Sequence, residues 1–250
     1  MTIRSFLVLV AMAMTRDGLA AVSPSPADQI LATWGEVLQA YVHDGKVDYA
    51  GIRANEGKRL ADFRDRLAAF DPVSIGNSDE AKAFWIHTYN ALVVSSLVSA
   101  GPGKTAQSVS GFFTRKNHLV GGKRYSLDDI EHRILRKSYA DPRMHFALVC
   151  GAQSCPVLDP AMMGVAGFEK ELEVAARRFV AEERNVRLDD AKKVLHLSSI
   201  FKWFEADFTP KYGSVRGFLL QYLPTETADR LRAGEYKVEY DPYDWTLNGR

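Results

Sequence analysis

The only two cysteines of this sequence stand in one segment, His145-Phe-Ala-Leu-Val-Cys150-Gly-Ala-Gln-Ser-Cys155-Pro156. A histidine and a thiol in one short run are the pair that nucleophilic catalysis by cysteine requires, because the thiolate attacks and the imidazole takes its proton. Cys150 is the first candidate nucleophile: it ends an apolar stretch just before a glycine that lets substrate approach. The amides around Gly151 would then supply oxyanion donors. Cys155, on the loop that follows, is the alternative. Cys150 also fits a small buried core residue.

Two other chemistries suit the same residues. Cys150 and Cys155 can cycle between dithiol and disulfide, although four intervening residues differ from Cys-x-x-Cys and no thioredoxin-like βαβ pattern lies beside them. A purely structural bridge would close a small loop and contribute little chain entropy. A zinc site from His145, Cys150, Cys155 and one further ligand lacks the paired short spacings of zinc motifs, so no metal or cofactor is expected.

The run Phe146 to Val149 reads as a buried strand. Strict alternation then puts Phe146, Leu148 and Cys150 on one face and His145 on the other, so His145 and Cys150 would not meet across a regular strand. Either the strand bends, or the imidazole comes from His132, His87 or His118. Glu131 falls inside the apolar stripe of Leu127, Ile130, Ile134 and Leu135. A carboxylate there must be paired, hydrogen-bonded or protonated: it binds an arginine such as Arg143, caps a loop, or orients a histidine as the acid of a triad does. His132 lies at the flank of that stripe, a rim position. His87 and Asn90 share a face of a nearly all-apolar helix and must find partners inside the fold. With Gly151 and Ser154 they are candidate substrate contacts.

The elements that position these residues are mostly helices. Apolar spacing predicts helices over 27–41, 58–70, 81–98, 168–182 and 215–223. The third of these has Ser78 as N-cap and acids in its first turn, and its uniform hydrophobicity marks it as central. Gly121-Gly122 turns a hairpin, and Ser126-Leu-Asp-Asp129 is a capping box variant that opens the helix bearing Glu131, with Tyr125 and Ile130 as its staple. Short strands are expected at 185–188 and 193–197, and the aromatics of Ile200 to Phe208 read as core. These elements imply an α+β fold, a single helix-rich domain with a small sheet.

Arg4, the apolar run Ser5 to Met14 and the small residues at 18–20 read as a signal peptide over residues 1–20. A Ser/Pro linker over 21–26 then leads to one domain over 27–250, with a periplasmic or secreted location and no integral membrane segment once the signal is removed. Hydrophobic content of 46% and charged content of 25% suit a soluble folded protein. A net charge of +1 without a basic run gives no support to nucleic-acid binding. Gly101-Pro-Gly-Lys104 falls short of a P-loop.

Several segments together resemble the DUF547 family: Phe84-Trp-Ile-His-Thr-Tyr-Asn-Ala-Leu92, Tyr125-Ser-Leu-Asp-Asp-Ile-Glu-His-Arg-Ile-Leu-Arg136, Asp141 to Pro156, Ile200-Phe-Lys-Trp-Phe-Glu-Ala-Asp-Phe208 and Tyr243-Asp-Trp-Thr-Leu-Asn248. The resemblance implies an α+β fold akin to cysteine proteases and transglutaminases. It marks Asn90, Glu131, His132, His145, Cys150 and Cys155 as the notable polar residues, and His87 stands where the family leads one to expect asparagine. Residues and resemblance together point to an exported cysteine-dependent enzyme using a Cys–His–acid site on a small peptide, amide or thiol-containing substrate. The alternatives are a non-catalytic module for a small-molecule or peptide ligand, and a thiol/disulfide redox protein.

Overall fold

The computed structural model describes residues 25–76, 78–160 and 167–250; the expected signal peptide and most of the linker lie outside them. The two described linker residues, Ser25 and Pro26, belong to a helix instead. Ser25 Oγ accepts from the Asp28 amide (3.0 Å) and Asp28 accepts from the Ser25 amide (3.3 Å), a capping box that starts helix α1 (Pro26–Tyr41) one residue before the expected Ala27.

A short hairpin, β1 (Val42–His43) and β2 (Lys46–Val47), leads to α2 (Tyr49–Asn55) and α3 (Gly57–Ala69). Helix α4 (Asp79–Ala100) is the centre of the larger core. Ser78 Oγ caps it at the Ala81 amide (3.1 Å), and it is buried on every side from Ala81 to Ser95, as its sequence demands. Its Phe84 and Leu97 share this core with Trp34 of α1 and Phe63 of α3. Next come the hairpin of β3 (His118–Val120) and β4 (Lys123–Tyr125), then the expected capping box. Ser126 and Asp129 exchange two 3.0 Å bonds there, but the helix that they open is π-wound over Asp129–Leu135 before it ends as α5 (Arg136–Tyr139).

The C-terminal part builds a second core. Helix α6 (Phe168–Ala181) precedes a three-stranded sheet of β5 (Val186–Asp189), β6 (Val194–Ser198) and β7 (Lys237–Asp241). In it β6 is central, antiparallel to β5 and parallel to β7. Between β6 and β7 run α7 (Ser199–Trp203), α8 (Glu205–Tyr212), α9 (Val215–Tyr222) and α10 (Thr225–Ala233). Phe146, Phe179, Phe201, Phe208 and Phe218 interlock there, so of the aromatics in the Ile200–Phe208 stretch Phe201 and Phe208 are core, whereas Trp203 is exposed and Phe204 half-buried. The result is a helix-rich α+β structure with small sheets. No described helix is long and apolar enough to cross a membrane.

One expected element is replaced. The His145–Cys150 strand is a 3-10 turn over Pro142–Phe146, followed by an irregular run that belongs to no strand. Pro142 fixes the turn and Asp141 Oδ1 caps it at the Arg143 amide (3.1 Å). Without a pleat, the alternation that separated His145 from Cys150 does not apply, and both side chains reach the same pocket.

A candidate thiol site

The cysteine loop is clamped from two sides. From α4, the buried Asn90 carboxamide replaces a neighbouring strand: Nδ2 donates to the Ala147 carbonyl (2.8 Å) and Oδ1 accepts the Val149 amide (2.9 Å). From the other side comes the segment after β7. Gln153 and Ser154 amides donate to the Thr246 and Asp244 carbonyls (2.8 and 3.2 Å), and the Asn248 amide donates to the Gly151 carbonyl (2.9 Å). Ser154 Oγ accepts the Asp244 amide (2.9 Å).

Three of the residues expected to touch substrate therefore hold the scaffold. Asn90 spends its carboxamide on the 147–149 backbone, and Ser154 spends its hydroxyl on the returning segment. Gly151 faces the core: at φ +80° its missing Cβ would sit 2.3 Å from Leu97 Cδ1, so glycine here permits packing instead of substrate approach. His87 is buried against Phe168, with ring centroids 5.2 Å apart, and lines a different small cavity together with Asn90.

At the loop the two sulfurs meet. Cys150 Sγ and Cys155 Sγ are 2.7 Å apart, and both cysteines are free thiols. Cys155 is the more buried of the two, although its place on the loop suggested the reverse; Cys150 is partly exposed. Three further donors converge on Cys155 Sγ: the Cys150 amide (3.0 Å), the Ala152 amide (3.4 Å) and the Tyr243 hydroxyl (3.2 Å). The amides around Gly151 thus serve a sulfur of the protein itself. Burial alone would raise the Cys155 thiol, but hydrogen bonds from the Cys150 thiol, Tyr243 and the two amides bring it down to about 7. Cys150 moves the opposite way. Its bond to Cys155, helped by burial, holds its proton well above the usual thiol range. Tyr243 also lies 3.4 Å from Cys150 Sγ, and burial beside the two sulfurs keeps its phenol protonated.

Beside the sulfurs opens a cavity of about 190 Å³ with mainly apolar walls. Trp203, Tyr243 and Trp245 form an aromatic trio on one side, with centroids 4.8 to 6.0 Å apart. The π-wound turn supplies the other side. Glu131 and His132, adjacent in sequence, both reach the cavity from it, and an extra residue in a helical turn is a common mark of a functional site. His132 is exposed, as a rim position implies, and its Nδ1 lies 3.2 Å from an Arg136 guanidinium nitrogen.

Glu131 is not the acid of His145. It accepts from the buried Tyr89 hydroxyl (3.0 Å), while Arg143 pairs with Asp141, Glu169 and Glu173. The acid of His145 is Asp207, on α8, at 2.7 Å from Nε2. Arg136 grips both carboxylate oxygens, Nε donating to the Oδ2 that His145 shares (2.7 Å) and Nη2 to Oδ1 (2.8 Å), and the imidazole stacks on Phe204 at 3.8 Å. Burial pushes the Asp207 carboxyl up, but His145 and Arg136 outweigh it and hold the group well below the carboxylate range. Asp207 is the site residue that sequence reasoning overlooked. Its one signal is an acid set among Phe204 and Phe208 in a helix that otherwise reads as core.

No described group of three or more His, Cys, Asp or Glu side chains could hold a metal ion. The cysteine pair, the aromatic trio and the oriented imidazole can together hold a small molecule next to a stabilised thiolate. Residues 74–180 match a family model described as "Protein of unknown function, DUF547". No curated protein and no solved structure matches the chain.

Proposed function

From this site, in a chain whose residues 74–180 match the DUF547 family model, we propose that the protein oxidises small thiols through a Cys150–Cys155 disulfide. The observation that carries this reading is the convergence of two amides, a phenol and a thiol on Cys155 Sγ. Donors that stabilise a thiolate stabilise the reduced state, which makes the corresponding disulfide a stronger oxidant, and a low-pKa thiol leaves faster in exchange.

In the first step a substrate thiolate attacks Cys150 Sγ, the more exposed sulfur. A substrate–Cys150 bond forms, the Cys150–Cys155 bond breaks, and its electron pair leaves on Cys155 as a thiolate. A second substrate thiolate then attacks the substrate sulfur of this mixed disulfide, and Cys150 departs and takes a proton. Two substrate thiols have been oxidised to a disulfide and the protein disulfide reduced to a dithiol; the second proton goes to solvent, or to Cys155 below about pH 7. A low-molecular-weight disulfide such as glutathione disulfide restores the protein disulfide by the reverse exchange. His145 has Nε2 committed to Asp207, so Nδ1 is the nitrogen that takes the proton of an incoming thiol. An exported location would suit such a protein, since oxidising compartments sustain disulfides.

The test is equilibration in glutathione buffers, with mass spectrometry of the peptides bearing each cysteine. The wild type should form the intramolecular disulfide at a potential less negative than about −300 mV, the range of inert structural bridges. Cys155→Ser should accumulate a mixed disulfide with glutathione at Cys150. A wild type that keeps two thiols throughout the series, or a variant that captures nothing at Cys150, would overturn the proposal. The hydrogen bond of His145 to Asp207 favours one second reading, acyl transfer by a cysteine. It requires a para-nitrophenyl ester to leave an acyl group on one of the two sulfurs.

A further inference from the structure

A second cleft, of about 360 Å³, opens between α3, the end of α4 and the loop that enters β3, and it shares no lining residue with the sulfur pocket. Its titratable lining residues are Arg64, Arg115 and His118; among the described residues no carboxylate lines it. Two of its lining residues each carry a polar atom buried without a hydrogen-bond partner, Ser95 Oγ and His118 Nε2, and these residues are only 5% and 8% exposed. Buried polar groups are nearly always satisfied, so two orphans in one cleft mark a missing partner. Arg64 and Arg115 are exposed at its edge. The negative end of the α4 dipole, which would repel an anion, is met by Arg53, whose Nε donates to the Val98 carbonyl (2.9 Å).

We propose that this cleft binds a small organic molecule through a phosphate or sulfate ester group, with Arg64 and Arg115 pairing its charge and Ser95 and His118 donating to its oxygens. Arginine suits a tetrahedral oxyanion because its planar fork offers paired donors. Burial holds the His118 imidazole down at about 4, so the cleft of the free protein presents it as a neutral ring. The volume exceeds the needs of a bare ion and falls in the range of small-molecule sites, and Phe112 supplies an apolar wall for the organic part.

The experiment titrates the full protein with inorganic phosphate, inorganic sulfate and phenyl phosphate, read by calorimetry and by the His118 ring signal in NMR. Saturable binding that shifts the His118 signal is expected, tighter for phenyl phosphate than for either bare ion; bare ions bound as tightly as phenyl phosphate would overturn the organic-ester reading. Arg115→Ala, at an exposed position, should weaken binding by about tenfold or more. Ser95→Ala should also weaken it, while raising the melting temperature of the free protein because an orphaned hydroxyl is gone. Unsaturable shifts for all three probes, or affinities unchanged in both variants, would exclude the site.

Discussion

Burial at Cys155 favours the neutral thiol, so its acidity must come from the groups facing the sulfur. Of these, the Tyr243 hydroxyl can be removed without touching the loop backbone. Tyr243→Phe deletes one hydrogen bond to a charged acceptor, about 1.5–3 kcal/mol. Alkylation followed against pH should place the Cys155 thiol about one to two units higher, and the disulfide should become harder to reduce by about 30–60 mV. A variant whose thiol titrates as in the wild type would remove Tyr243 from the site. The sulfur pair itself was legible in the sequence, because two cysteines so close in the chain can hardly avoid one another. Tyr243 and Asp207 were not. Their partners lie 88 and 62 positions away, at Cys155 and His145, and no local pattern encodes a contact that only the closed fold creates.

Among the elements, those set by local rules matched their sequences: the Ser78-capped central helix, the Gly121-Gly122 hairpin and the β5–β6 pair all stand where spacing and turn chemistry put them. The 142–150 segment failed for a physical reason. Its apolar residues are buried on all sides, which erases the alternation that distinguishes a strand, and its backbone is satisfied by the Asn90 side chain instead of a neighbouring strand. The loop that follows is held as tightly. Gly151→Ala would meet both an unfavourable φ and the Leu97 side chain, and should destabilise the protein by about 2–4 kcal/mol, seen as a lower urea midpoint. Gly151→Ala with Leu97→Ala should cost less than the two single changes added together, since the second opens the space that the first needs. Strict additivity would mean that the φ strain, and not the contact, sets the cost.

For the whole molecule, the opposite displacement of the two thiols makes reduced-state stability depend on pH in a defined way. The Cys155 thiol lies at about 7 in the folded protein against an ordinary 9.0. Its contribution is therefore fully present above about pH 9 and is lost as pH falls through about 7, a span of roughly 2–3 kcal/mol. Cys150 is displaced upward, so above about pH 9 the unfolded chain ionises where the folded one does not, and stability falls again. Urea unfolding with a non-thiol reductant should show the midpoint rising from about pH 7 to about pH 9, and Cys155→Ser should flatten that rise. An equal rise in the variant would trace it to other groups. The two cores meet at this site: Cys155 belongs to the larger, and Tyr243 packs against both.

The strap that carries Tyr243 also gives the site a timetable. The ribosome adds Tyr243 only 88 residues after Cys155, an interval of roughly 4–18 s at ordinary elongation rates. For that time the growing chain holds two thiols without their phenol, closer in acidity to free cysteine, and the reactive form arises only when the strap docks. A messenger cut short before codon 243 would yield the thiols but not their chemistry.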